Sequence, residues 1–104
     1  IILTIAKING KNGKPNAFAL YDTGAAAFSM ALMAADLGLM AHQAGGFYPE
    51  KVRKEFSIPA EYTPVSLMIV GYELQSSEFP NRPRERKAIA ENFYLGKWGN
   101  GLQN

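Results

Sequence analysis

The chain has 104 residues, 47% of them apolar and 19% charged, with a formal net charge of +2. That is the composition of a folded domain rather than a disordered segment, and the length holds one ordinary domain at most. The absence of cysteine excludes disulfides, thiolate metal sites and cysteine nucleophiles within this chain. So small a net charge does not by itself indicate a nucleic-acid partner.

Residues Ile1 to Ile8 are rich in Ile with Thr4 in the middle, which suits a strand buried on one or both faces. An opening of Ile-Ile-Leu-Thr-Ile, without Met, reads as the middle of a strand, so the chain is expected to be a fragment. It shows no basic region or cleavage site of a signal peptide. Residues 9–16, NGKNGKPN, predict an exposed turn-rich loop. Asn16, or the Pro15-Asn16 pair, can start the following helix, with the Asn side chain accepting from an orphan N–H of the first turn.

From about Ala17 to Met40 the sequence predicts a long helix. Phe18, Tyr21, Ala25, Phe28, Leu32, Ala35 and Leu39 recur at steps of three and four, and Ala26, Met30, Met33 and Leu37 occupy another side. A helix apolar on several sides is expected to be buried on several sides. It is long enough to cross a bilayer, but Asp22 and Asp36 would each be costly there, so no membrane span is expected. Gly24 and the run Ala25-Ala26-Ala27 keep the helix thin and allow another backbone close to it.

Gly38 and the Gly45-Gly46 pair bracket the helix exit. Pro49 followed by Glu50 predicts a short helix to Phe56, stopped by Ser57-Ile58-Pro59-Ala60. Val65–Val70, bounded by Pro64 and Gly71, predicts a central strand covered on both faces. Beyond Tyr72, prolines and the basic run Asn81 to Lys87 predict an extended segment. A last helix from about Ala88 to Tyr94, an end near Gly96 and a mobile tail past Trp98 complete the reading.

Two features can carry chemistry. Gly45 and Gly46 let the backbone approach a flat ring without an intervening side chain; the alternative is a pair that merely turns the chain. Arg84 and Arg86, at i and i+2 on an extended segment, can face one phosphate bidentately; the alternative is a solvated charge run, in which Arg82 and Lys87 take either role. His42, the single histidine, can donate a proton near neutral pH or simply pack. Tyr21, Phe47, Tyr48 and Trp98, with Met30, Met33 and Met40, read as core or interface before ring-stacking. Asp22-Thr23 reads as a capping or helix contact. No catalytic side chain and no metal-ligand set is expected, and no Walker loop, G-x-G-x-x-G or G-x-S-x-G occurs.

The words YDTGAAA (Tyr21–Ala27), ADLGL (Ala35–Leu39), AGGF (Ala44–Phe47) and IVGY (Ile69–Tyr72) follow one another as helix, Gly-Gly loop and strand. In that order they resemble the C-terminal half of the nitroreductase family, over roughly residues 1 to 95. The resemblance implies an α+β, nitroreductase-like FMN-binding fold in three layers, with a central mixed or antiparallel sheet and a long helix at a dimer interface. Residues 1–104 would form the C-terminal part of one domain, and 73–104 an extended arm wrapping a partner subunit.

It further implies a cytoplasmic homodimer that binds FMN across its interface, with NAD(P)H as co-substrate. A nitroaromatic, quinone or similar small acceptor would be reduced in the same pocket. Carried over residue by residue, the N–H groups at Gly45 and Gly46 address flavin N5, Gln43 and Ala44 lie along the ring, and Arg84 and Arg86 hold the phosphate. Three rival readings stand beside this one: a specialised relative such as a dehalogenase-like or flavin-destroying enzyme, a non-catalytic dimerisation module, and a nucleic-acid binder using Arg82 to Lys87. The Arg-rich N-terminal stretch and gating helix of the relatives are not in this sequence, so the chain alone is expected to fold poorly. Titration of the isolated chain with FMN should show weak uptake; tight uptake would contradict this expectation.

Overall fold

A computed structural model describes residues 1–74, 83 and 85–102. Two compact units make up the chain, Ile1–Leu74 and Gln75–Asn104. The first holds β1 (Ile2–Lys7), α1 (Ala19–Asp36), β2 (Met40–Ala44), α2 (Pro49–Glu55) and β3 (Tyr62–Gly71). Its strands form one antiparallel sheet in the order β1-β3-β2. Helices with an antiparallel sheet make this an α+β fold.

β3 starts earlier than its apolar run suggests, because Pro64 lies inside it. A proline has no N–H to give a ladder and is tolerated where pairing is interrupted. The register shows that interruption: Thr4 pairs with Ser66 and Ile5 with Pro64, leaving Val65 as the extra residue of a β-bulge. At the bulge the buried Thr4 hydroxyl donates to the Ser66 carbonyl at 3.1 Å and accepts from the Ser66 N–H at 3.1 Å. Beyond it, Leu67 and Met68 pair with β1 on one side and β2 on the other. Met68, at 0% exposure, is the largest fully buried side chain among the described residues.

Asn16 acts two residues ahead of the N-cap of α1. Its Oδ1 accepts the Phe18 N–H at 3.2 Å, and its own N–H donates to the Ile8 carbonyl at 2.7 Å. The N-cap position itself falls to Phe18, which has no side-chain acceptor. At the other end α1 stops at Asp36 rather than Met40. Gly38 takes φ 73°, its N–H reaches the Ala35 carbonyl, and the Leu39 N–H reaches the Ala34 carbonyl. This paired arrangement turns the chain out of the helix and satisfies its last carbonyls.

Met40 therefore begins β2, a strand absent from the sequence reading. MAHQA has no β-branched residue and several helix formers, so its extended state comes from the ladder to β3.

Alternation along β1 puts Ile2, Thr4 and Ala6 on one face and Leu3, Ile5 and Lys7 on the other. α1 lies on the first face, where Met30, Met33, Ala34 and Leu37 share a cavity wall with Ile2, Met68 and Val70. Ile5 on the second face shares one with Phe56, Ile58, Pro59 and Tyr62, which follow α2. The sheet thus lies between α1 and the α2 segment.

Two expectations about burial need correction. α1 buries only a small-residue stripe, Ala19, Ala27 and Ala34, while Tyr21, Phe28 and Leu32 remain 76%, 59% and 56% exposed. β3 is not covered on both faces, since Ile69 stays 49% exposed.

α2 follows its local signals, with Pro49 and Glu50 in the first turn. It ends as α1 does, with the Ile58 N–H on the Arg53 carbonyl at 2.9 Å and the Ser57 N–H on the Lys54 carbonyl at 3.4 Å. Here the left-handed position, φ 50°, is filled by Ser57 rather than glycine.

In the second unit α3 (Ile89–Asn92) is a single turn, braced by the Ala88 N–H donating to Glu91 Oε1 at 3.1 Å. The sequence predicts a helix as far as Tyr94, but Phe93 is already extended. Tyr94 pairs with Gly101, and the Leu102 N–H donates to the Phe93 carbonyl at 2.8 Å. Residues 99–102 therefore fold back instead of trailing as a mobile tail. Gly101 is required there, since a Cβ would lie 2.5 Å from the Ala90 carbonyl oxygen. Most of the stretch expected to be extended after Tyr72 lies outside the described residues. No helix among the described residues is long and apolar enough to cross a membrane.

Two stability changes follow. Ser57→Gly relieves the left-handed strain of roughly 1 kcal/mol against a smaller entropic loss, for a net gain of about 0.5 kcal/mol, read as a higher urea midpoint at unchanged slope. Met68→Ala should cost about 2–5 kcal/mol in the same measurement; a cost near zero would contradict the placement of Met68 at the centre of the sheet.

Candidate functional site

The segment from Gln43 to Tyr48 is held at both ends. Ala44 closes the β2 ladder opposite Leu67, and Tyr48 is the N-cap of α2. Between them the Phe47 N–H donates to the Gly45 carbonyl at 3.0 Å, and the Lys51 ammonium sits 4.6 Å from the centre of the Tyr48 ring. The sequence signal for the Tyr48–Lys51 pair is its i, i+3 spacing alone.

Nothing among the described residues requires glycine at 45 or 46. Neither takes a positive φ, and a Cβ on either would meet no atom within 4 Å. Both are exposed, and their N–H groups have no acceptor among the described residues. The pair therefore presents bare backbone donors to open space. It can receive a flat, acceptor-bearing ligand at van der Waals distance, and a side chain there would fill the approach.

The neighbouring candidates divide between the sheet faces. Gln43, opposite Met68, is on the α1 face, and Ala44 is on the other face together with His42, which stands opposite Ile69. Gln43 and Ala44 thus cannot offer side chains to the same side of a ring. His42 is exposed and shares its face with Ala44.

The structure brings together Gln43, Ala44, Gly45 and Gly46. Arg86 and Lys87 are exposed in the second unit, while Arg84 and Arg82 lie outside the described residues. Asp22 is exposed, and the Thr23 hydroxyl donates to the Ala19 carbonyl at 2.7 Å, a helix contact. Trp98, 91% exposed, lies 4.8 Å from the Tyr94 ring. No group of His, Asp and Glu among the described residues is placed to hold a metal ion.

The sequence profile of the nitroreductase family matches residues 2–72, so the chain belongs to the nitroreductase family. An uncharacterized 15.4 kDa protein of Mycolicibacterium smegmatis is 28% identical over 108 residues, covering 97% of this chain and 73% of that protein. The crystal structure of an FMN-containing oxidoreductase superposes with a TM-score of 0.82 at 26% identity, over 92% of this chain and 54% of that one. A nitroreductase family protein from Clostridium difficile 630 superposes with a TM-score of 0.66 at 27% identity, over 88% of this chain and 53% of that one. The fold is thus nitroreductase-like, and the chain spans about half the length of these solved structures.

Because the space around Gly46 is open, Gly46→Val should leave the folding stability of the full-length protein within about 0.5 kcal/mol of the parent in urea. A larger loss would mean that the fold itself requires glycine at this position.

Proposed function

We propose that the complete protein is an FMN-dependent oxidoreductase that passes hydride from NAD(P)H to a nitroaromatic, quinone or similar small acceptor. The observation that carries this reading is the Gly45-Gly46 pair, two exposed backbone donors with no acceptor among the described residues. The similarity to an FMN-containing oxidoreductase of known structure supports it. When bound, FMN supplies the hydride relay between donor and acceptor.

The chain's part is binding and orientation. Gly45 and Gly46 donate N–H groups toward flavin N5, where such donors favour added electron density. Gln43 and Ala44 border the ring, each from its own face of the sheet. Arg84 and Arg86 match the phosphate through guanidinium forks that stay charged at every relevant pH. No side chain of the chain is assigned as a catalytic acid.

A homodimer belongs to the same proposal. Large apolar side chains left uncovered on one helix, here Tyr21, Phe28 and Leu32, mark an interaction surface. The second copy would cover α1, and the arm 73–104 of one subunit would reach its partner. The cytoplasm is the proposed compartment.

The test is flavin retention by the full-length protein carrying Gly46→Val. Loss of bound FMN after gel filtration, with the urea midpoint unchanged, is the expected result. Retention equal to the parent protein would remove the N5 assignment.

A further inference from the structure

Three Asn-Gly pairs occur in the chain: Asn9-Gly10, Asn12-Gly13 and Asn100-Gly101. In such a pair the glycine nitrogen can reach the carbonyl carbon of the Asn side chain, and no Cβ obstructs it. Sequence alone makes the three equivalent. The fold does not.

Asn9 is half-buried and bridged to Pro15, and the Gly10 N–H is held by the Lys14 carbonyl at 2.7 Å. Asn100 is held through its side chain, with Nδ2 donating to the Leu95 carbonyl at 3.0 Å, while Gly101 is bridged to Tyr94. Asn12 differs from both. It sits exposed in the turn between Gly10 and Lys14, its side chain has no partner among the described residues, and the Gly13 N–H makes a longer bond of 3.1 Å to the Gly10 carbonyl. Lys11 and Lys14 flank it, and nearby positive charge favours the deprotonated amide that must form.

We propose that Asn12 is a site of spontaneous deamidation and that the folded chain confines the reaction to it. The Gly13 nitrogen, after losing its proton to hydroxide, bonds to Asn12 Cγ. The Cγ–Nδ2 bond breaks, ammonia leaves with a proton from water, and a cyclic succinimide remains. Water then opens the ring at either carbonyl, giving aspartate or isoaspartate; nothing is oxidised or reduced. Either product adds one carboxylate, taking the formal net charge from +2 to +1. Isoaspartate also routes the main chain through the former side chain, lengthening a tight turn. The Asn16 bond to Ile8 that braces the start of α1 lies outside that turn.

The experiment is peptide mapping by mass spectrometry during incubation of the full protein in mildly alkaline buffer, native and in denaturant. In the native protein Asn12 should convert about fivefold faster than Asn9 or Asn100, the scale of one restraining hydrogen bond, into mixed aspartate and isoaspartate. In denaturant the three rates should converge. Asn12→Gln should remove the main acidic variant seen on ion exchange. Equal native rates at the three pairs, faster conversion of Asn9 or Asn100, or a native Asn12 that stays intact while the denatured one reacts would each overturn the proposal.

Discussion

The first unit depends on the double pairing of β3 at Leu67 and Met68. Met68 faces Ile2 across one ladder and Gln43 across the other, so its burial fixes the register of both neighbours at once. A strand's side chains alternate faces with period two, and a one-residue slip of β2 would exchange the faces of Gln43 and Ala44. It would also draw Gly45 into the ladder and remove a donor from the loop. The location of the proposed flavin contact is therefore a consequence of sheet register, set some residues away from the glycines themselves.

The second constraint is the kind of surface that α1 spends on the sheet. Its docked stripe is Ala19, Ala27 and Ala34, small side chains that bring the helix close but bury little apolar area each. Fully burying a Leu or Phe contributes about 1.5–3 kcal/mol, and α1 leaves Phe28 and Leu32 largely in water. The helix thus makes a close but modest contact with its own sheet and keeps its larger apolar side chains on the outside. This is the pattern expected where much of the burial comes from other protein, in keeping with a chain that spans about half of its solved relatives.

Elements with strong local signals could be read from the sequence. The Ile-rich start gave β1, Pro49-Glu50 gave α2, and the Val65–Val70 run gave the centre of β3. The errors arose where tertiary pairing overrides propensity. MAHQA carries no strand signal, with Met40 read as the helix end, and becomes a strand because β3 offers it a ladder, although Gly38 is already a stop signal. Pro64 hid the front of β3 because a bulge that excuses a proline cannot be seen without the partner strand. Tyr94 and Gly101 find each other through a hairpin that leaves little periodic trace. The Gly-Gly pair stands out by residue type and its proposed flavin role rests on resemblance, but the open space around it and its lack of an N–H acceptor among the described residues are properties of the fold.

The most direct test of the central claim is the visible absorption spectrum of the purified full-length protein, followed by anaerobic addition of NADPH. The account predicts a flavin band that bleaches on addition of the nucleotide. A colourless protein that also fails to take up added FMN would contradict it, leaving the fold in place as a non-catalytic dimerisation module.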